Sequence, residues 1–207
     1  MKIKETVLVS AAVVALCGQA VFAQSASSTS SSSTNVTGAT IQERKKDQQD
    51  RVAQGVQSGQ LTPGETKNLE SKEAGLNKEE GQMRTEDNGK LTAADKAKLT
   101  RQQNRMSNQI YTDKHNAAAD QFGKGTIGKR DENQQDRIAN GIKTGQLTPG
   151  EATHVESKEQ GLNREVAGMR QEVSGKLSKA DRKLVNHQQN QLSKQIYRQK
   201  HNGRRGF

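Results

Sequence analysis

Three oxygen-bearing side chains lie close together in the segment 86–95, which reads Glu-Asp-Asn-Gly-Lys-Leu-Thr-Ala-Ala-Asp. Carboxylate and amide oxygens, such as those of Glu86, Asn88 and Asp95, are the ligands that calcium takes in proteins. Gly89 lies between them and permits the sharp turn that such a loop needs. The spacing therefore indicates a candidate calcium site with these three residues as its ligands.

The same segment resembles part of an EF-hand loop. In that family a glycine sits in the middle of the loop, a hydrophobic residue follows two places on, and an acid closes the loop. Gly89, Leu91 and Asp95 match those positions, whereas Arg84 stands at the first ligand position. The resemblance implies a calcium-responsive module. The alternative is a degenerate loop kept as a helical turn, with no metal ligand and no cofactor.

Other chemistry is not indicated by the spacing of reactive residues. His115 and His201 occupy equivalent places in the motif Ile-Tyr-x-x-Lys-His-Asn, and no two histidines are four residues apart, as a helical metal clamp would require. We expect them to cap helix ends or face solvent. No set of serine, histidine and acid stands out, and no catalytic pair of carboxylates is recognisable. The chain is therefore predicted not to be an enzyme.

A short motif recurs four times, with a glycine, a polar residue, a leucine, a hydroxyl residue, two spacers and an acid. A hydroxyl residue three places before an acid is the capping-box pattern, which starts a helix. Pro63 and Pro149 follow two of the hydroxyl residues, at the first helical position where proline is tolerated. The predicted pairs are Thr62 with Glu65, Thr92 with Asp95, Thr148 with Glu151, and Ser178 with Asp181.

The chain is a tandem duplication. Residues 41–116 align without gaps to residues 127–202, and 41 of 76 positions are identical. A connector, 117–126, separates the repeats, and a tail, 203–207, is predicted to be disordered. The pattern predicts an all-α protein with two tandem repeats of three helices each, in extended antiparallel hairpins with a thin core.

Apolar residues at helical spacing place these helices at about 42–57, 62–86 and 92–115, and at the equivalent positions of the second repeat. We expect the third helix to continue into the connector as far as Gln121. Gln103 and Gln189 fall on the apolar stripe and could be buried or face solvent. Tyr111 and Tyr197 are expected to plug helix ends. The predicted stripes comprise Leu69, Leu76 and Met83; Val155, Leu162, Val166, Met169 and Val173; Leu99, Met106 and Ile110; and Val185, Leu192 and Ile196.

The first 23 residues are typical of a secretion signal. Val7 to Leu16 is an apolar run too short to span a bilayer, and cleavage is expected after Ala23. The single cysteine, Cys17, lies inside this segment. Residues 24–40 are rich in serine and threonine and are predicted to be a disordered linker. The mature protein is therefore predicted to be periplasmic or secreted, without a transmembrane segment.

The formal net charge of +10 is compatible with a solvated charged surface, and it also favours anionic partners. Nucleic acid is an unlikely partner because aromatic stacking residues make up 2% of the chain and tryptophan is absent. Envelope polyanions, such as anionic lipid headgroups or lipopolysaccharide, fit the charge and the predicted compartment better, and a protein partner stays open.

As a whole the chain resembles secreted bacterial tandem-repeat proteins of unassigned function. It is also similar in style to the periplasmic Spy/CpxP family, whose small basic helical members carry a Leu-Thr-x-x-Gln motif at helix starts; here the motif ends in Glu or Asp. That likeness implies a chaperone-like alternative. The leading prediction is a non-catalytic helical binding or structural module of the bacterial envelope, which holds its partner on helix faces between the turns.

Overall fold

The computed structural model describes residues 40–119, 123 and 125–206. It confirms the all-α prediction, because the described residues form six helices and no strand. The predicted signal segment and residues 24–39 of the predicted linker lie outside the described residues. The helices are α1 (Ile41–Gln57), α2 (Pro63–Glu86), α3 (Ala93–Lys114), α4 (Gly125–Lys143), α5 (Pro149–Glu172) and α6 (Lys179–Lys200).

The helices begin where local chemistry favours a start. Pro63 and Pro149 occupy the first turns of α2 and α5, and the glycine of every turn motif has a positive φ, as at Gly59 (68°) and Gly145 (65°). Glycine reaches this left-handed conformation without steric cost, so it can end one helix before the next begins. A fifth capping box, between Thr40 and Glu43, starts α1 at the last residue of the predicted linker.

The most extensive contacts between helices join the two repeats. Helix α1 packs on α4, and α2 packs on α5. Helix α3 packs against α1 and α2, and α6 packs against α4 and α5 in the same way. The repeats therefore form one bundle with a shared interior, in which α3 and α6 are peripheral equivalents.

That interior draws equivalent side chains from both copies. Leu61 and Ile110 of the first repeat, and their equivalents Leu147 and Ile196 of the second, are at most 2% exposed. Burial of such side chains contributes about 1.5–3 kcal/mol each. The main cluster also contains Val52, Ala53, Val56, Leu69, Met106, Ile138, Ala139, Ile142, Ala152, Val155 and Leu192.

Two glycines near the ends of α1 and α4 let the turn leucines approach the helix. A Cβ added at Gly55 would lie 2.6 Å from Leu61 Cδ1, and one at Gly141 would lie 2.6 Å from Leu147 Cγ. Their role is packing, because any side chain there would displace a buried leucine.

Three predicted details differ in the structure. Helix α3 ends at Lys114 rather than near Gln121, because His115 takes the C-cap position and bonds back to Thr112. Val173 lies beyond the end of α5 and is 44% exposed, so it leaves the predicted apolar stripe. The tail contacts the second turn motif, where Gly206 N donates to Gly145 O at 2.9 Å. No described helix is long and apolar enough to cross a membrane.

Candidate functional site

The residues of the four turn motifs form reciprocal capping boxes. Thr62 N donates to Glu65 Oε2 at 2.9 Å, and Glu65 N donates to Thr62 Oγ1 at 3.3 Å. The distances at Thr148 and Glu151 are 3.0 and 3.3 Å. Thr92 with Asp95 and Ser178 with Asp181 form the same arrangement.

The acids that end the two proline-containing turn motifs, Glu65 and Glu151, form hydrogen bonds outside their capping boxes as well. Glu65 Oε1 accepts a hydrogen bond from Asn116 Nδ2 at 2.6 Å, and Glu151 Oε1 accepts one from Asn202 Nδ2 at 2.6 Å. Each acid thus joins the start of the second helix of its repeat to the end of the third. Both carboxylate oxygens are used in holding the fold, which makes these positions structural.

The candidate calcium ligands lie at the turn between α2 and α3, where Asp95 also closes a capping box. Asp95 Oδ2 accepts from Thr92 N at 3.0 Å and from Thr92 Oγ1 at 2.6 Å, and these bonds lower the pKa of Asp95. Asn88 has a positive φ of 53° in the turn, and Glu86 is the exposed last residue of α2. Among the described residues, no group of three or more His, Cys, Asp or Glu is arranged to hold a metal ion.

A cluster of buried carboxyl groups lies inside α2 and α5. Glu70 and Glu73 of α2, and Glu156 and Glu159 of α5, are 0–1% exposed. They come from the sequence Glu-Ser-Lys-Glu, which occurs identically in both repeats. Their burial is not among the predictions made from the sequence. A signal was available, because Glu73 lies four residues after Leu69 and three before Leu76, on the apolar stripe.

The electrostatics at Glu70 and Glu73 favour the protonated carboxyl. Burial raises the pKa of Glu70 well above its usual value, and the charge of Glu73 raises it further. The Gln49 side chain lowers that pKa, and Glu156, across the α2–α5 interface, raises it. Burial raises the pKa of Glu73 to about 7, against the attraction of Lys45. A buried charge that is not fully compensated by partners costs free energy, so burial favours the neutral, protonated form of these carboxyls.

An ion-pair network adjoins the buried carboxyl groups in the first repeat only. Lys45 Nζ lies 2.9 Å from Glu80 Oε2, with both side chains nearly buried, and Arg84 Nη2 lies 2.7 Å from Glu80 Oε1. Burial alone would raise the pKa of Glu80, but the hydrogen bonds from these two bases lower it. The equivalent positions in the second repeat are Asp131 and Val166, which form no ion pair in the described part of the chain.

The two glutamines on the apolar stripes, Gln103 and Gln189, are buried and form hydrogen bonds between helices. Gln103 Nε2 donates to Ile41 O at 2.9 Å, and Gln189 Nε2 donates to Ile127 O at 3.0 Å. Each bond holds the third helix of a repeat to the first. The sequence left open whether these glutamines are buried or face solvent, and both are buried. Burial at both positions fits a role in fixing the register between helices.

The tyrosines lie on the surface rather than plugging helix ends. Tyr111 is 64% exposed and stacks on His115 with ring centroids 4.2 Å apart. Tyr197 and His201 form the same stack in the second repeat. Each histidine Nδ1 lies 2.7 Å from the carbonyl oxygen of its tyrosine, so each pair is a C-terminal helix cap with one exposed aromatic face.

A polar groove of about 540 Å³ runs between α1 and α4. Its walls carry both signs of charge, Asp50 and Arg51 on one side and Asp136 and Lys143 on the other. Lys46 pairs with Asp50 at 2.7 Å. The groove therefore presents a mixed surface without an excess of one charge.

The outer surface is the region where one charge dominates. In the described part of the chain, seven acids are buried but only one base, Lys45. Twenty Lys and Arg residues are exposed, against six exposed acids. The exposed acids are Glu43, Asp47, Glu86, Glu132, Asp136 and Glu172. The folded surface is therefore more basic than the composition, and it can attract anions over distances near the Debye length, about 10 Å.

Comparison with known proteins identifies no relative. No protein-family model matches the chain, and no curated protein or solved structure matches it.

Proposed function

We propose that this protein is a non-catalytic helical binding module that acts outside the cytoplasm, in or beyond the bacterial envelope, and takes up partners carrying negative charge. The observation that carries the proposal is the separation of charge by the fold, which buries acids and exposes bases. The predicted secretion segment ending at Ala23 supports the location.

This separation of charge follows from where the acids lie in the fold. Some close capping boxes, as Glu65 and Asp95 do. Others lie in the interior between the repeats, as Glu70 and Glu156 do. Acids used in these ways add little negative charge to the surface, although Glu151 lies 3.7 Å from the exposed Arg204, so a chain with interleaved charges folds with a basic exterior. Such a surface raises the local concentration of polyanions and speeds their association.

Binding of the purified protein to a panel of anionic probes tests the proposal. The panel contains linear polyphosphate, a sulfated polysaccharide and vesicles with anionic lipids; dextran and uncharged vesicles are the controls. We expect binding to at least one anionic probe, weakening by roughly ten-fold or more between about 50 and 200 mM salt. Binding to none of them, or binding that salt leaves unchanged, would contradict the proposal.

A further inference from the structure

The outer face of α6 carries a single ridge of solvent-exposed residues. Steps of three or four residues keep successive positions on one side of a helix. The ridge spans 20 residues, and its 19 steps cover about 28 Å at about 1.5 Å per residue. From its N-terminal end it consists of Lys179, Lys183, His187, Gln191, Lys194 and Arg198, all exposed.

The four Lys and Arg side chains of this ridge are free to bind. None of them forms an ion pair or a hydrogen bond within the described residues. The remaining two residues bond to each other, Gln191 Nε2 to His187 Nε2 at 3.1 Å. The nearest acid along the helix, Asp181, is held in the capping box of Ser178. The ridge is therefore an uncompensated line of positive charge.

The equivalent ridge of α3 differs although the fold around it is the same. Its six positions are Ala93, Ala97, Arg101, Arg105, Asn108 and Thr112, again all exposed. It has two permanent charges where α6 has four. Beside it, Lys98 is paired with Glu79 at 2.5 Å, whereas the equivalent of Lys98 in α6 is Leu184. The two ridges differ in charge and not in helix geometry.

We infer that the ridge on α6 is the principal contact site of this protein for an extended anionic polymer, with phosphate groups as the chemistry it fits best. This inference rests on the proposed function and assigns its binding face. The bases form two pairs on one side of a single helix, Lys179 with Lys183 and Lys194 with Arg198, and a polymer that carries charge along its whole length can contact both pairs. Lysine and arginine both bind phosphate, arginine through a planar fork.

The distribution of apolar residues on α6 favours a polymer over a lipid bilayer as the partner. A helix that lies in a membrane interface needs a free apolar face. The apolar residues of α6, Val185, Leu192 and Ile196, are buried against the rest of the bundle. Tyr197 and Leu184 alone are exposed large apolar side chains on this helix. One exposed ring is also not a series of stacking platforms for bases, so charge is the feature being recognised.

The first repeat supplies the test variant. In the ridge-swap variant, each base is replaced by the residue found at the equivalent place in α3, which already folds on the same framework. The changes are Lys179→Ala, Lys183→Ala, Lys194→Asn and Arg198→Thr. We expect the dissociation constant for linear polyphosphate to rise at least about ten-fold, and the slope of log affinity against log salt to fall by roughly 3.

The matched control removes the same number of exposed bases away from the ridge. Its changes are Lys78→Ala, Lys90→Ala, Lys129→Ala and Lys158→Ala, with circular dichroism used to verify helix content in both variants. We expect an affinity loss of less than about three-fold, because only the long-range attraction is reduced. An equal loss in both variants would show that diffuse charge binds the polymer and would overturn the ridge assignment.

The reciprocal variant gives a gain that a folding defect cannot imitate. Ala93→Lys, Ala97→Lys, Asn108→Lys and Thr112→Arg place the α6 charges on α3. We expect a second equivalent of polyphosphate to bind per chain, and an unchanged stoichiometry contradicts the inference. Parent protein that binds anionic vesicles but not polyphosphate also overturns it. If the parent binds no anionic probe at all, the proposed function fails as well.

Discussion

The two repeats differ in charge at positions where they agree in shape. Both keep the capping boxes, the glycine beneath the turn leucine and the buried Glu-Ser-Lys-Glu sequence. The first repeat has the buried pair Lys45 and Glu80, where the second has Asp131 and Val166. The second has the basic ridge. Residues that define the helix ends are the same or similar in both copies, whereas the buried pair of Lys45 and Glu80 and the basic ridge each occur in one copy only.

The largest expected difference between the repeats comes from Lys45→Met. It removes the one base that acts on both Glu80 and Glu73, while Arg84 still pairs with Glu80, so the free energy of unfolding should fall by about 3 kcal/mol. Asp131→Ala, the matched change in the second repeat, breaks no ion pair and should cost about 1 kcal/mol or less. Urea unfolding at pH 7 measures both, and equal losses would contradict the asymmetry.

Glu73→Gln should remove part of the pH dependence of stability. The pKa of Glu73, about 7 in the folded chain, lies above the ordinary value of 4.5. The folded chain therefore holds its proton to a higher pH than the unfolded chain does. This contribution is complete below about pH 4.5 and is lost as the pH rises to about 7.

At pH 8 the Glu73→Gln protein should be more stable than the parent by up to about 3 kcal/mol, and near pH 4.5 the two should coincide. Urea unfolding across this range measures the curve. Glu172→Gln, which changes an exposed acid, is the control and should track the parent. Adding Lys45→Met to the parent should steepen the dependence, because the attraction that lowers the pKa of Glu73 is gone. The same pH dependence of stability in the parent and in Glu73→Gln between pH 5 and 8 would refute the assignment.

Gly55→Ala and Gly141→Ala should destabilise the two repeats equally. Each new Cβ would lie 2.6 Å from atoms of a buried leucine, and overpacking of this kind costs about 1–3 kcal/mol. Gly75→Ala is the control, because no atom lies within 4 Å of its added Cβ, and it should stabilise helix α2 by about 0.5–1 kcal/mol. Thermal unfolding separates the two signs. A stabilising Gly55→Ala would show that Leu61 can move aside.

The smallest expected effects come from the caps. Thr62→Ala and Thr148→Ala each remove the hydroxyl of a capping box and should cost about 1 kcal/mol. The two losses should be equal because the hydrogen bonds agree to within about 0.1 Å. Denaturant midpoints of the two single variants and the double variant test this, and near-additivity is expected for sites that share no partner.

Local features were predictable because they depend on a few neighbouring residues. The Thr-x-x-Glu spacing indicates a helix start wherever it occurs, and Pro63 and Gly59 strengthen the prediction at one turn. The seven-residue spacing of Leu69, Leu76 and Met83 predicts a helix with one buried side. Even so, the spacing could not place Val173, because only the position of the helix end decides whether the last apolar residue reaches the core.

The buried acids were harder to predict than the helices. Glu70 and Glu73 are as hydrophilic in the sequence as Glu79, which is half-buried and pairs with Lys98. What distinguishes them is that α5 covers their side of α2. Composition alone therefore understated how basic the surface is, since it counts acids inside the bundle together with acids outside.

The sequence by itself determined the duplication, the helical class and the places where helices begin, because capping and periodicity act within one or two turns. Only the tertiary structure decided that the repeats pack α1 on α4 and α2 on α5. That pairing selects which acids are buried, and it leaves the outer faces of α3 and α6 exposed. The charge of those faces is a property of the sequence, but its exposure depends on contacts between residues far apart in the chain.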